Sequence, residues 1–389
     1  MPEATPNGDA APAGHVVCCP DKLRGALSAP AAAAALAEGV RSVGLTAREH
    51  PLADGGEGTL EAVARADGAR LREHVVRGAL GELLSAQLAL LADGDVVVEL
   101  AQAAGHAAPD APRDVLQAST AGVGELIRHA LDAGARTVIV ALGGSATVDG
   151  GLGALRELGA CLYAADGREL RGCGADLLAL ARIDASQLDP RLHGALVFAA
   201  DVESPLHGPR GAAHVFAAQK GATPAQVDAF DAALVRLASL LGPACEQPGA
   251  GAAGGFPAPF LAHCAARIVS GAAFVRERTG FAAALDGAAA CVTGEGTLDA
   301  SSAQGKTVAG VVAEGRAREI PVFVVGGVVE DDGAVALYEA GAAAVLPLGR
   351  RPRTLTEALA EAAEDLRFSG AAIGRLTQLL TPRTQEIPS

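Results

Sequence analysis

The sequence predicts a two-domain α/β protein: a doubly wound parallel sheet built from both chain ends, interrupted by an inserted mixed α/β domain. Three observations predict it. Residues 290–368 alternate strand and helix patterns in three successive units, the mark of a parallel sheet. Two further strand patterns flank a helix in the first 52 residues and complete a five-stranded sheet with those three. The middle of the chain changes to short strands joined by a hairpin signal, which is antiparallel chemistry.

Taken in order, the first strand is expected at 16–19, followed by an Ala-rich helix in which Ser28 caps and Pro30 sits in the first turn. A second strand follows at 47–52. Strands at 71–76, 85–91 and 96–100 come next, the last two meeting across Ala92-Asp-Gly-Asp95. Alternation returns with a helix at 122–133, a buried strand at 137–142, a Gly-rich loop, a helix at 151–158, and a strand at 195–200 that ends on Asp201. The regular C-terminal series is strand 290–293, helix 306–318, strand 321–325, helix 332–340, strand 343–346 and helix 354–368. The expected domains are 15–75 with 287–370, and 76–286 as the insertion. Residues 1–14 read as a disordered leader and 371–389 as a tail. A cleft between the domains is the expected ligand site.

Composition narrows the partners. The chain has 389 residues, 50% hydrophobic and only 3% aromatic, with no Trp, so the core must be Ala, Val and Leu in closely packed elements. A formal net charge of −14 leaves no basic field for a nucleic-acid backbone. The longest uncharged stretch, 247–266, is broken by Pro and Gly and does not read as a membrane span. Seven cysteines without paired metal spacing read as reduced, buried thiols in a soluble cytoplasmic protein. Nine histidines lack the H-x-x-x-H spacing of a zinc site, and no G-x-S-x-G elbow surrounds Ser145.

Five polar clusters, four of them Gly-punctuated, fall after predicted strands or open helices: PDKLRG (20–25), ADGGEGT (53–59), GGSATVDGG (143–151), DVESPL (201–206) and TGEGTLD (293–299). Glycines let backbone N–H groups approach phosphate oxygens, and Ser145 and Thr147 add hydroxyls, so 143–151 is the best anion cradle. Phosphoryl transfer needs carboxylates for Mg²⁺ and for the acceptor hydroxyl, which Asp54, Glu57, Asp149, Asp201, Glu295 and Asp299 supply. Lys22, Lys220 and Lys306 are the only lysines, each beside Gly-rich sequence. The string ASSAQGKT (300–307) mimics a Walker A loop, but Ala stands at its first Gly and six residues separate it from the strand, which disfavours a true P-loop.

In this order, PDKLRGALSA, PLADGGEGT, STAGVGELI, LGGSATVDGG, DVESPL, QKGAT, PGAGAAGG and VTGEGTLD…GKT resemble the bacterial glycerate kinases that form 2-phosphoglycerate, over about 16–366. The resemblance implies a flavodoxin-like domain from both chain ends, an inserted α/β domain, ATP with Mg²⁺ as donor and D-glycerate as acceptor. It points to Asp201 as activator of the acceptor hydroxyl, with Lys22 and Asp54 in the catalytic set. Asp21, Arg24, Glu57, Ser145, Thr147 and Lys306 are then expected to bind substrate. Gly143, Gly144, Lys220, Gly294, Glu295 and Gly296 are expected to bind nucleotide, and Asp149 and Asp299 to hold the metal. Departures from the family pattern stand at Val148, Ser204, Ser301 and Ala217-Ala218. They leave two alternatives: a kinase of the same fold for another hydroxy acid, or a catalytically impaired metabolite-binding relative. A homodimer is the one assembly considered, and the sequence does not decide the oligomeric state.

Overall fold

A computed structural model describes residues 14–106, 113–303 and 305–380, so the expected leader lies almost wholly outside the described residues. The chain divides into two compact units, Met1–Leu52 with Gly280–Ser389, and Ala53–Thr279. The first division falls earlier than the expected 75/76. Helix Thr59–Asp67 packs through Leu60 and Val63 on Ala89 and Val97, and strand Arg70–Arg77 pairs along its whole length with Leu83–Leu90, so 53–75 belongs with the insertion. The second division precedes the expected 286/287, because Phe281 packs on His50 and the carbonyl of Ala284 accepts from His15.

The terminal unit holds one parallel sheet, ordered Ala344–Pro347, Val322–Val329, Ala288–Leu298, His15–Cys18, Ala47–Glu49. The five predicted strands are the five observed. Helix Ala29–Arg41 starts where Ser28 Oγ accepts from the Ala31 amide at 3.4 Å. It packs on helix Ala362–Leu380 with the backbones nearly touching: a Cβ on Gly39 would strike the carbonyl of Arg367, and one on Gly370 the carbonyl of Leu36. That contact buries Ile373 and Thr377 and carries the helix ten residues into the expected tail. The expected helix 354–368 is two, because Thr354 and Glu357 form a capping box for a separate Leu355–Ala360.

The inserted unit holds a six-stranded sheet, ordered Arg267–Val269, Leu196–Ala199, Thr137–Ala141, Asp95–Glu99, Leu83–Leu90, Arg70–Arg77. The first four run parallel and the last two antiparallel, as the hairpin signal requires. Both faces are covered: Val138, Val140, Leu196 and Phe198 face one core, Ile139 and Val197 the other. Three of the nine Phe, Phe198, Phe256 and Phe260, cluster with ring centroids 5.3–5.9 Å apart and fill the volume that small residues cannot. Strands Cys161–Ala164 and Leu180–Asp184 form a separate antiparallel pair. Among the described residues no helix is long and apolar enough to cross a membrane.

Candidate functional site

In the inserted unit, parallel strands Thr137–Ala141 and Leu196–Ala199 end where two of the polar clusters, 143–151 and 201–206, begin, the position at which open α/β sheets bind ligands. Asp201 follows strand Leu196–Ala199 and is held at both oxygens, Oδ1 by Ser270 Oγ at 2.8 Å and Oδ2 by the Ala272 amide at 2.9 Å. Ser270 also caps helix Gly271–Arg278, so the short neighbouring strand Arg267–Val269 delivers the group that orients Asp201. Burial pushes the Asp201 carboxyl above the usual carboxylate range, and the charge of Asp54 adds to the rise.

Asp54 reaches this position because its loop is nearly bare backbone. Gly55 has φ +82°, and a Cβ there would lie 2.7 Å from Gly271 Cα and 3.1 Å from the carbonyl of Ala199. A Cβ on Gly143 would strike Gly56, and the Gly143 amide donates to the Gly55 carbonyl at 3.3 Å. Asp54 Oδ1 accepts the Gly56 amide at 3.1 Å, while Glu57 points to solvent. The fold therefore brings together Asp54, Gly143 and Asp201 from segments about 60–150 residues apart.

Farther along the 143–151 loop the chemistry differs from the sequence expectation. Ser145 Oγ lies 3.2 Å from Thr147 Oγ1, and Lys220 Nζ donates to Ser145 Oγ at 3.2 Å and to the Thr147 carbonyl at 2.8 Å. Lys220 is thus a buried tether, 3% exposed, and burial pushes its amine down to about 7 against the opposing field of Asp149. Asp149 is not placed as a metal ligand. It is fully buried and accepts four hydrogen bonds: from the Thr120 amide and hydroxyl, both 2.7 Å, and from the amides of Gly151 and Gly153 at 3.1 and 3.3 Å. That donor set, three bonds on Oδ2 and one on Oδ1, locks the loop to helix Ala121–Asp132 and commits the carboxylate to protein donors. Val148, one of the departures from the family pattern, is fully buried in the core.

In the terminal unit, Asp21 is buried; its Oδ1 accepts the Lys22 amide at 2.6 Å and its Oδ2 accepts Thr307 Oγ1 at 3.1 Å. Lys22 Nζ stands 3.6 Å from the same carboxylate, and Arg24 is exposed. Thr307 opens helix Thr307–Ala317 and was not singled out from sequence. Lys306 Nζ donates to Ser301 Oγ at 2.8 Å, and Ser301 Oγ donates to Asp299 Oδ1 at 2.5 Å. Those bonds from Ser301, reinforced by the Lys306 charge, hold Asp299 below the usual carboxylate range. Ser301 therefore relays the Lys306 contact to Asp299.

Gly294, Glu295 and Gly296 are not a loop. They continue strand Ala288–Leu298, with Glu295 opposite Gly326 and Thr297 opposite Val328. The reason is the partner strand Val322–Val329, whose own Gly326 and Gly327 let the two glycine stretches pair: a Cβ on Gly294 would strike the Val325 carbonyl. Pairing with Val322–Val329 on one side therefore places these residues in a strand rather than in a free loop.

Comparison with known proteins gives a consistent result. The family described as "Glycerate kinase family" matches residues 16–378. A glycerate kinase of Bacillus subtilis is 38% identical over 90% of this chain and 94% of its own length. The glycerate 2-kinase of Escherichia coli is 37% identical, with 90% and 94% covered. A solved structure from Salmonella typhimurium LT2, assigned as glycerate kinase 2, superimposes with a TM-score of 0.78 at 37% identity, over 94% of this chain and 99% of that one. The chain is a member of the glycerate kinase family.

Proposed function

We propose that the chain transfers the γ-phosphoryl group of ATP to the C2 hydroxyl of D-glycerate, giving 2-phosphoglycerate and ADP. The observation that carries the reading is the family match along 16–378, and the E. coli relative named glycerate 2-kinase supports the choice of product. Asp201 takes the hydroxyl proton as that oxygen attacks the γ-phosphorus; the bond from the γ-phosphorus to the bridging oxygen breaks, and ADP leaves with that oxygen. A raised carboxyl is the better proton acceptor, and Ser270 with the Ala272 amide fixes its direction. Asp54 beside it keeps the pocket anionic and orients the acceptor. Lys22, Arg24 and Lys306 bind the anionic groups of the two substrates.

Mg²⁺ usually takes one or two carboxylates, with phosphate and water completing its shell. Asp299, kept ionised by Ser301 and Lys306, fits that requirement; Asp149 does not. When bound, the ion would neutralise charge on the phosphate oxygens. The test is an ADP-release assay of the full chain with Mg²⁺, ATP and a panel of small hydroxy acids. Turnover with D-glycerate far above the rest supports the proposal, and turnover only with another acid sinks it.

A further inference from the structure

The inserted unit contains a cavity of about 340 Å³ beside the 143–151 loop, whose polar lining is Glu82, His106, Arg113, Asp114 and Lys220. None of His106, Arg113, Glu82 and Asp114 was identified from sequence. The geometry points to an oxyanion-binding site here, in which Lys220 and Arg113 both contact a phosphate or carboxylate group. The nature of that oxyanion, nucleotide phosphate or acid carboxylate, rests on the kinase reading; the existence of the site does not.

Three features carry it. First, two cations line the hollow: Arg113 Nη1 donates to the carbonyl of Gln219, the residue before Lys220, at 2.7 Å, and the charges of Arg113 and Lys220 depress the His106 imidazole after the effect of burial. Both cations oppose a charge on His106, and an anion in the hollow offsets that opposition. Second, the two acids there are already used by backbone donors. Asp114 Oδ1 accepts from the amides of Leu116 and Gln117, and Glu82 accepts the Leu80 amide. Third, Lys220 is buried with both of its acceptors neutral oxygens, Ser145 Oγ and the Thr147 carbonyl, and a protonated amine carries three donors. Among the described residues no carboxylate lies within ion-pair distance of it, although Asp149 acts on it through space.

A volume of this size admits a three-carbon acid whole, or the phosphate end of a nucleotide. The guanidinium gives planar two-point contact and the amine a point charge, the pairing that suits tetrahedral or planar oxyanions.

The test is calorimetric titration of the full chain with pyrophosphate, ADP and D-glycerate in separate runs, for the wild type, Arg113→Gln and Lys220→Met. Arg113 is exposed, so Arg113→Gln keeps the fold if Lys220→Met does not. Loss of one charge-assisted contact should weaken the cognate anion at least about 10-fold. Weakening of pyrophosphate and ADP alone identifies the nucleotide phosphates, and weakening of D-glycerate alone identifies the acid carboxylate; either outcome supports the site. Wild-type binding should also take up a proton at pH 8, measured in buffers of different ionisation enthalpy, because an anion favours the charged amine. Affinity should fall as pH rises above about 7. Unchanged affinities in Arg113→Gln together with no proton uptake in the wild type would overturn the site, even if glycerate turnover is intact. Conversely, anion binding lost in the variants of a protein that turns over no glycerate would keep the site and reject the kinase reading.

Discussion

Replacing Asp149 separates a structural carboxylate from a metal ligand. Asp149→Ala removes the acceptor of three buried amides, those of Thr120, Gly151 and Gly153, and of the Thr120 hydroxyl. The hydroxyl can turn elsewhere while still accepting from the Ala154 amide at 3.1 Å, so three donors are stranded. At about 1–3 kcal/mol each, the loss is at least about 3 kcal/mol. That is a large part of the roughly 5–15 kcal/mol holding a typical protein folded. For a unit of this size it lowers the melting temperature by about 6 °C or more. Asp149→Asn, which keeps one accepting oxygen, should fall between. The assay is thermal unfolding by circular dichroism, with Mg²⁺ titrated into any variant that remains folded. A melting temperature within about 2 °C of wild type, combined with a sharply raised Mg²⁺ requirement, would refute the reasoning and restore Asp149 as a ligand.

Three further outcomes are expected. Asp201→Asn should lower kcat at least about 100-fold, with a stability loss of only about 1 kcal/mol, since one of its two donors keeps an acceptor; near-normal turnover excludes Asp201 as the proton acceptor. Lys306→Ala breaks the relay through Ser301 to Asp299 and should raise KM for a phosphate- or carboxylate-bearing substrate more than it lowers kcat, and unchanged KM values for both substrates contradict its assignment. His50 is buried against Phe281 and burial pushes its imidazole down to about 4. Above pH 6.5 it is neutral in both folded and unfolded chains; below that the unfolded chain takes the proton first. It should therefore cost stability progressively as pH falls from 6.5 to 4, by about 3 kcal/mol in all. Urea unfolding of wild type against His50→Leu across that range checks it, and a difference that does not vary with pH rules it out.

The sheet of the terminal unit was legible because its strands are short apolar runs separated by amphipathic helices, a pattern written locally in the chain. The hairpin around Ala92-Asp-Gly-Asp95 was legible for the same reason. What escaped depends on partners distant in sequence. The TGEGTL string reads as a loop until Val322–Val329 offers a strand with its own glycines opposite. Asp149 reads as a loop carboxylate until Thr120, 29 residues away, supplies two of its donors. Strand Arg267–Val269 is three residues long, too short for any periodicity, yet it sets the Ser270 contact on Asp201. Asp54 was identified from the glycines beside it, and those glycines mark close backbone approach in the fold, while Asp201 was identified from its place at the end of a strand pattern and from the family resemblance.

The central claim is chemical, and phosphorus NMR of the reaction mixture tests it most directly. With D-glycerate, ATP and Mg²⁺, one new phosphomonoester signal is expected, a doublet from coupling to the single C2 proton, growing in step with ADP. A triplet from the C3 methylene protons, or no phosphomonoester signal from folded protein, would contradict it.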